Sequence, residues 1–408
     1  MISVDEARAR VLAAVAPVRP VELRVANALG AVLATDLDAP HALPRFDNSS
    51  MDGFAVHASD CGSASPESPV GLRVVGEVRA GDPGDHSVRP GTAARIMTGA
   101  PVPPGADAIV PVEETRLQGD RVLVQAPAEP GRFIRRAGED VQTGDLLIRA
   151  GTELRAGELA LAASVGASPL LVRPAPRVAV VVTGDELVEP ETQPGPGQIR
   201  DSNSIALSAL VREAGGEALL STPVPDELGA VEDAFRRAAA RADLVVSSGG
   251  VAVGDHDFVK EAIEGLGRID LWRVAMQPGK PVVLGAIGDV PFLGLPGNPV
   301  SIHISFEQFV RPAIRRLRGC SALLRPTISA RLSGPLDKPA GRLHFVRVRL
   351  SAVPGGWVAV PTGPQGSHIQ SSLIGCHGVA RFPRTATRLA DGEEVTVEVW
   401  RLPEAEAS

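Results

Sequence analysis

LVVSSGGVAVGDHD, residues 244 to 257, decides how this chain is to be read. An apolar run stops at a Ser-Ser-Gly-Gly turn, and Asp255 and Asp257 follow as a new helix is expected to open at about His256. Gly249 and Gly250 carry no Cβ, so the backbone can turn sharply and a ligand can approach the main chain. Free N–H groups there, with the positive end of a helix dipole behind them, suit a phosphate or another oxyanion. The neighbouring acids then call for a cation between carboxylate and anion. Taken alone, the stretch is ordinary Asp-capped turn chemistry.

The same device recurs. The run 178–182 ends in Thr183-Gly184-Asp185-Glu186-Leu187, and LGLPGNPVS (293–301) places Pro296, Gly297, Asn298 and Pro299 in a loop before a helix expected over 298–317. Between these turns the pattern alternates: strands at 177–182, 217–222 and 243–247, helices at 203–214, 227–241 and 256–265. Strands near 270–275, 281–286 and 291–295 follow. This is a doubly wound α/β pattern with a three-layer core. In such sheets ligands bind outside the carboxyl ends of the strands, so the three turns should line one crevice. Thr183, Gly184, Ser248, Gly249, Gly250, Asp257 and residues 296–299 are its expected binding residues.

The flanks read differently. Val4, Ala7, Val11, Leu12 and Val15 sit at helical spacing over residues 4–17, and an Ala-Leu-rich stretch makes 152–170 helical again. Between them, short β-branched runs such as LRVVGEV and DAIVPVEE are cut by Gly, Pro and Asp, the texture of a mainly β insertion. Beyond Pro326, HFVRVRL and GEEVTVEVW alternate with period 2, as in a small β-barrel or sandwich. The expected regions are a discontinuous helical linker (1–43 and 139–173), a β-rich insertion (44–138), an α/β domain (174–320) and a C-terminal β-barrel (321–408). The arginines at 311, 315, 316 and 318 suit the negative end of the last long helix.

Composition excludes several classes. Across 408 residues, 41 Lys and Arg face 48 Asp and Glu, a net charge of −7, which offers no general attraction to nucleic acid or anionic lipid. Aromatics are 3% and Tyr is absent, leaving few platforms for stacking bases. Charges at Asp5, Glu6, Arg8 and Arg10 break up any export signal, and the apolar stretch 159–172 falls short of the ~20 residues needed to span a bilayer. Cys61, Cys320 and Cys376 are odd in number and widely spaced, pointing to a reducing cytoplasmic setting without disulfides or a zinc site. No G-x-x-x-x-G-K-[ST], G-x-G-x-x-G or G-x-S-x-G motif occurs. Cys376 adjoins His377, but neighbouring strand residues face opposite ways, which argues against a dyad.

PRFDNSSMDGFA (44–55), IMTGAPVPPGADAIV (96–110), GEDV (138–141), VVTGDELV (181–188), GQIRDSN (197–203), SSGGVAVGDHD (247–257), MQPGKP (276–281), LGLPGNPVS (293–301) and PQGSHIQSSL (364–373) occur in this order. The set resembles the molybdopterin molybdenumtransferases, the MoeA family, which includes the E domain of gephyrin. The resemblance spans essentially the whole chain. It implies a homodimer with the active cleft between subunits, in which molybdate and adenylylated molybdopterin react with the help of Mg2+, AMP leaves, and the molybdenum cofactor is completed. A molybdopterin adenylyltransferase upstream and delivery proteins downstream are the implied partners.

The chemistry explains the residue types. A phosphoanhydride and a dianionic oxyanion repel each other, so cations and amide donors must offset the repulsion. Mg2+ prefers oxygen ligands and commonly bridges carboxylates to phosphates; Glu186, Asp226 and Asp255, at strand exits or helix starts, are the expected metal ligands. Lys280 supplies a point charge to phosphate or molybdate. Asp52, Thr98 and Asp140 match cleft positions of the family, the first two reaching the partner's site. Arg347, Ser367 and Ser371 are candidates for holding molybdate, although Arg347 also fits a solvent-facing strand position. Phe54, Ala252, Gln277 and 375–378 depart from the common pattern. Two alternatives are a nucleotide-processing hydrolase or deamidase of the competence-damage type, which lacks the MDGFA and IMTGAP segments, and a non-catalytic gephyrin-like scaffold.

Overall fold

A computed structural model describes residues 1–83, 85–249 and 258–404, which form two compact units: Met1–Thr35 with Ala150–Ala156 and Pro169–Ser408, and Asp36–Arg149 with Gly157–Ser168. The first is built on a six-stranded sheet. Its order is Glu217–Leu220, Arg177–Val182, Leu244–Ser248, Val290–Leu295, Pro281–Ile287, Gly267–Arg273. Arg177–Val182 shows why two layers of helix are needed. Val178, Val180 and Val182 point into one core with Leu207, Leu210 and Phe309, while Ala179 and Val181 point into another with Val231, Phe235 and Ile263. Strands buried on both faces carry apolar residues at every position rather than every second one.

Helices Val4–Ala13, Asn203–Glu213 and Pro299–Ser305 cover the first face; Leu228–Ala239 and Phe258–Leu266 cover the second. Ser3 caps the opening helix by accepting from the Glu6 N–H, and the helix ends at Ala13, short of the expected residue 17. The long helix expected over 298–317 runs from Pro299 to Leu317, with a π segment, Phe306–Val310, between the α-helical stretches Pro299–Ser305 and Arg311–Leu317. The sheet is mixed. The pairings up to Val290–Leu295 are parallel, whereas Pro281–Ile287 joins Val290–Leu295 through a two-residue turn and is antiparallel to it. A turn that short cannot make the crossover that parallel strands require.

The C-terminal barrel closes. Leu343–Val353 pairs with Gly356–Pro361, Gly356–Pro361 with Thr327–Leu332, Thr327–Leu332 with Glu394–Val399, Glu394–Val399 with Gly378–Phe382, and the last returns to Leu343–Val353. Closure leaves these five strands without an unpaired flank. Near the N-terminus, Leu170–Arg173 lies between Val21–Leu23 and Val32–Leu33, so the first and third segments of the chain meet in one sheet.

The second unit holds a separate six-stranded sheet, including Gly53–Val56, Thr92–Ile96 and Ala108–Pro111, over a core of Phe54, Val56, Leu72, Val110 and Val122. Gly53 is needed there, because a Cβ would fall 2.1 Å from the Val110 carbonyl oxygen.

Candidate active site

In the first unit the strand exits align. Val182 lies opposite Ser248, and Ser248 opposite Leu295, so the segments after the three strands leave from one rim of the sheet. The Thr183 N–H donates to the Ser248 carbonyl (3.2 Å), the Gly184 N–H to the Val224 carbonyl (3.2 Å), and the Gly249 N–H to the Leu295 carbonyl (3.3 Å). Gly249 has φ +92°, and a Cβ there would lie 2.8 Å from the Thr183 oxygen. Glycine is thus required on two counts. Thr183 and Ser248 are buried, and the Thr183 hydroxyl has no partner among the described residues. Buried polar groups are normally paired, so this hydroxyl is available to a ligand or a water.

The acids gather at the same rim. The Asp226 N–H donates to Asp185 Oδ1 (3.0 Å), and the Glu186 carboxylate folds back over Gly184, whose Cβ would sit 2.7 Å from Glu186 Oε2. Partial desolvation, then the charges of Asp185 and Glu186, push the Asp226 carboxyl above the ordinary range, against the pull of a hydrogen bond it accepts from the Asp185 backbone. No described Lys, Arg or His forms an ion pair with these three acids. Excess negative charge with oxygen donors and no counter-ion fits a hard divalent cation. Among the described residues no three His, Cys, Asp or Glu side chains make a metal cage by themselves. Asp255, the expected third ligand, lies outside the described residues, as do Gly250 and Asp257.

Pro296 is buried, Gly297 and Asn298 are exposed, and Asn298 occupies the N-cap of Pro299–Ser305, with Pro299 starting the helix. Pro suits that first position because its missing N–H would have no helical partner anyway. Lys280 is exposed and immediately precedes Pro281–Ile287. Because that strand is antiparallel to Val290–Leu295, with Val283 opposite Gly294, its beginning lies at the rim where its neighbour ends.

The barrel contributes from beside the rim. The Val300 N–H donates to the Ser367 carbonyl (3.2 Å), while Ser371 is exposed. Arg347 corrects the solvent-facing alternative: it is fully buried, on the same strand face as Phe345, and Nη2 donates to the carbonyls of Pro364 (3.1 Å) and Gly366 (3.3 Å). Nε and Nη1 have no partner among the described residues, and burial pushes its pKa down.

In the second unit, Asp52 and Thr98 come together. Asp52 Oδ1 accepts from both the Thr98 hydroxyl and the Thr98 N–H, each at 2.7 Å, which holds this exposed carboxyl below its usual range. Asp140 lies on an exposed turn, its N–H donating to the Leu43 carbonyl (3.0 Å).

Cys376 and His377 form no dyad. The buried thiol donates to the Gly378 carbonyl (3.1 Å), and His377 Nδ1 accepts from the Leu350 N–H (3.0 Å). Two residues at the rim carry more than the sequence reading assigned them. Asp185, one of two adjacent acids in TGDEL, binds the Asp226 backbone, and Asn203, last residue of GQIRDSN, donates through Nδ2 to Gly297 O (2.8 Å) and Ser248 Oγ (3.2 Å).

The first unit thus joins a three-layer α/β domain, with an acid-rich, glycine-turned rim, to a closed barrel. Residues 2–166 match the family described as MoeA N-terminal region (domain I and II), 179–316 the probable molybdopterin binding domain, and 329–400 the MoeA C-terminal region (domain IV). A molybdopterin molybdenumtransferase 2 of Mycobacterium tuberculosis is 40% identical over 408 residues, covering 98% of this chain and 100% of its own. The molybdopterin molybdenumtransferase of Nostoc is 38% identical over 92% of this chain and 87% of its own. A crystal structure of the molybdopterin biosynthesis MoeA protein of Pyrococcus horikoshii superposes with TM-score 0.85 at 34% identity, covering 98% of this chain and 99% of that one. The chain belongs to the MoeA family of molybdopterin molybdenumtransferases, enzymes of the transferase class.

Proposed function

We propose that this protein inserts molybdenum from molybdate into adenylylated molybdopterin, with Mg2+ bound and AMP released, as the completing step of molybdenum cofactor synthesis. The observation that carries the reading is the meeting, at one rim, of Asp185, Glu186 and Asp226, with no counter-ion among the described residues, and of the bare turn at Gly249. Glu186 and Asp226, with Asp255, are the residues to hold Mg2+, which when bound supplies charge neutralisation and Lewis acidity at the phosphoanhydride.

The chain's own residues do the rest. The turns at Thr183-Gly184 and Ser248-Gly249-Gly250, with residues 296–299, seat the nucleotide phosphate and the pterin side, and Lys280 offsets the charge of the incoming oxyanion. Arg347, with two guanidinium nitrogens unpartnered among the described residues, and the Ser367 and Ser371 loop support a place for molybdate. An oxygen of water or of molybdate bonds to the adenylyl phosphorus as its bond to the oxygen of the pterin phosphate breaks. With water, AMP leaves at once and one molybdate oxygen departs as water carrying the two thiol protons; with molybdate, AMP leaves as its own Mo–O bond breaks and the thiol protons pass to solvent. In either case the two dithiolene sulfurs take up the molybdenum. No protein nucleophile is needed, and the buried thiols offer none. Asp52, fixed by Thr98, and Asp140 act from the second unit across a homodimer cleft. The four-region division, the cytoplasmic setting, and exchange with an adenylyltransferase and delivery proteins belong to the same proposal. No helix among the described residues is long and apolar enough to cross a membrane.

Incubation with adenylylated molybdopterin, molybdate and Mg2+ tests it: AMP should appear in step with activation of a molybdenum-free apoenzyme. Neither product forming would overturn the assignment.

A further inference from the structure

We propose that Asn203 is a positioning residue that sets the spacing of the phosphate-binding rim by tying two of its turns together. The hydrogen-bond ladder between Leu244–Ser248 and Val290–Leu295 runs out at the rim, where the Gly249 N–H meets the Leu295 carbonyl at 3.3 Å. Beyond it the two turns still face each other, since a Cβ placed on Gly297 would come within 3.8 Å of Gly249 Cα. Asn203 bridges this gap: its Nδ2 donates to the Gly297 carbonyl at 2.8 Å and to Ser248 Oγ at 3.2 Å. The carbonyl can only accept, so the amide's orientation is fixed by its partner.

The residue that makes this tie is itself anchored. It is the first residue of helix Asn203–Glu213, whose start is pinned by Asp201: Asp201 Oδ1 accepts from the Ser204 N–H (2.9 Å) and the Asp201 N–H donates to the Val188 carbonyl (2.8 Å). One amide group on a helix end thereby holds the turn after one strand against the loop after the next. A ligand seated on both finds them already in register, and pre-organisation of this kind appears as affinity.

The inference rests on the reading that this rim takes the nucleotide phosphate, and the test separates the two. Asn203→Asp keeps the shape but, when ionised, only accepts hydrogen bonds, whereas an acid in the first helical turn favours the helix. Asn203→Ala removes the tie, and Asn203→Gln keeps a donor on a longer stem. Calorimetric Kd for adenylylated molybdopterin, KM and kcat for AMP release, and Tm are measured for all three.

For the Asp and Ala variants, Kd and KM should rise about tenfold with kcat changed less than about threefold, the scale of losing a hydrogen bond or two. The Asp variant should keep a near wild-type Tm, and Gln should recover part of the affinity. Wild-type Kd in the Asp and Ala variants, or affinity losses that merely follow Tm across the three, would overturn the role of Asn203 while leaving the rim intact. Failure of the wild-type protein to bind the substrate at all would overturn the reading of the rim and this role with it.

Discussion

Asp226 illustrates the conflict between holding an ion and holding the fold. Its carboxyl, although exposed, titrates above the ordinary range because neighbouring protein partly desolvates it and it faces Asp185 and Glu186. The folded state therefore binds its proton more tightly than the unfolded state does, so stability falls as pH rises from the unfolded pKa through the folded one, and the penalty persists at neutral pH. In metal-free protein, Asp226→Asn should melt above wild type at pH 7 to 8, and the gap should close as pH falls towards 4. Added Mg2+ should raise the wild-type Tm and leave the variant unmoved. Melting curves across that pH range check both. At this scale the sequence carried much of the rim, because glycine before an acid at a strand exit has a backbone reason to be there. It did not carry Asn203, whose partners lie 45 and 94 residues away, nor the burial of Arg347, which depends on the 364–366 loop folding over it.

Among the elements, the closing strand of the barrel leaves no room for a side chain at its first residue. Gly378–Phe382 pairs on both sides, and a Cβ on Gly378 would lie 2.1 Å from the Glu398 carbonyl oxygen. Gly378→Ala should force that seam apart and cost about 1–3 kcal/mol, the usual scale for overpacking a tight site; chemical denaturation should register the loss, and amide exchange should quicken first at 378–382. The strands themselves were legible as β-branched runs between Gly and Pro. Their direction at the far side of the sheet was not, because it follows from the Gly288-Asp289 turn rather than from hydrophobic pattern. The π segment in the last long helix likewise carries no compositional mark: Phe306–Val310 is as apolar and as buried as the helix around it.

At the scale of the whole molecule, the proposed reaction draws on residues from two separate compact units, Asp52 from one and Asp226 from the other. If the cleft is shared between subunits, mixing inactive Asp52→Asn and Asp226→Asn proteins and allowing them to exchange should restore measurable AMP release, from hybrid dimers that keep one intact cleft. No recovery, in mixtures shown by mass to contain hybrids, would count against a shared site. The family itself was legible because nine short motifs keep their order along the chain. The three cysteines follow another logic: all are buried, burial pushes the Cys61 thiol up to about 11, and it raises Cys320 and Cys376 as well. Only thiolate reacts with alkylating agents, and only where the reagent can reach it. Iodoacetamide should therefore leave the native protein almost untouched, and the rate at which each sulfur is eventually modified becomes a clock for local opening at three separate places, so that Gly378→Ala should hasten Cys376 while leaving Cys61 on its original schedule.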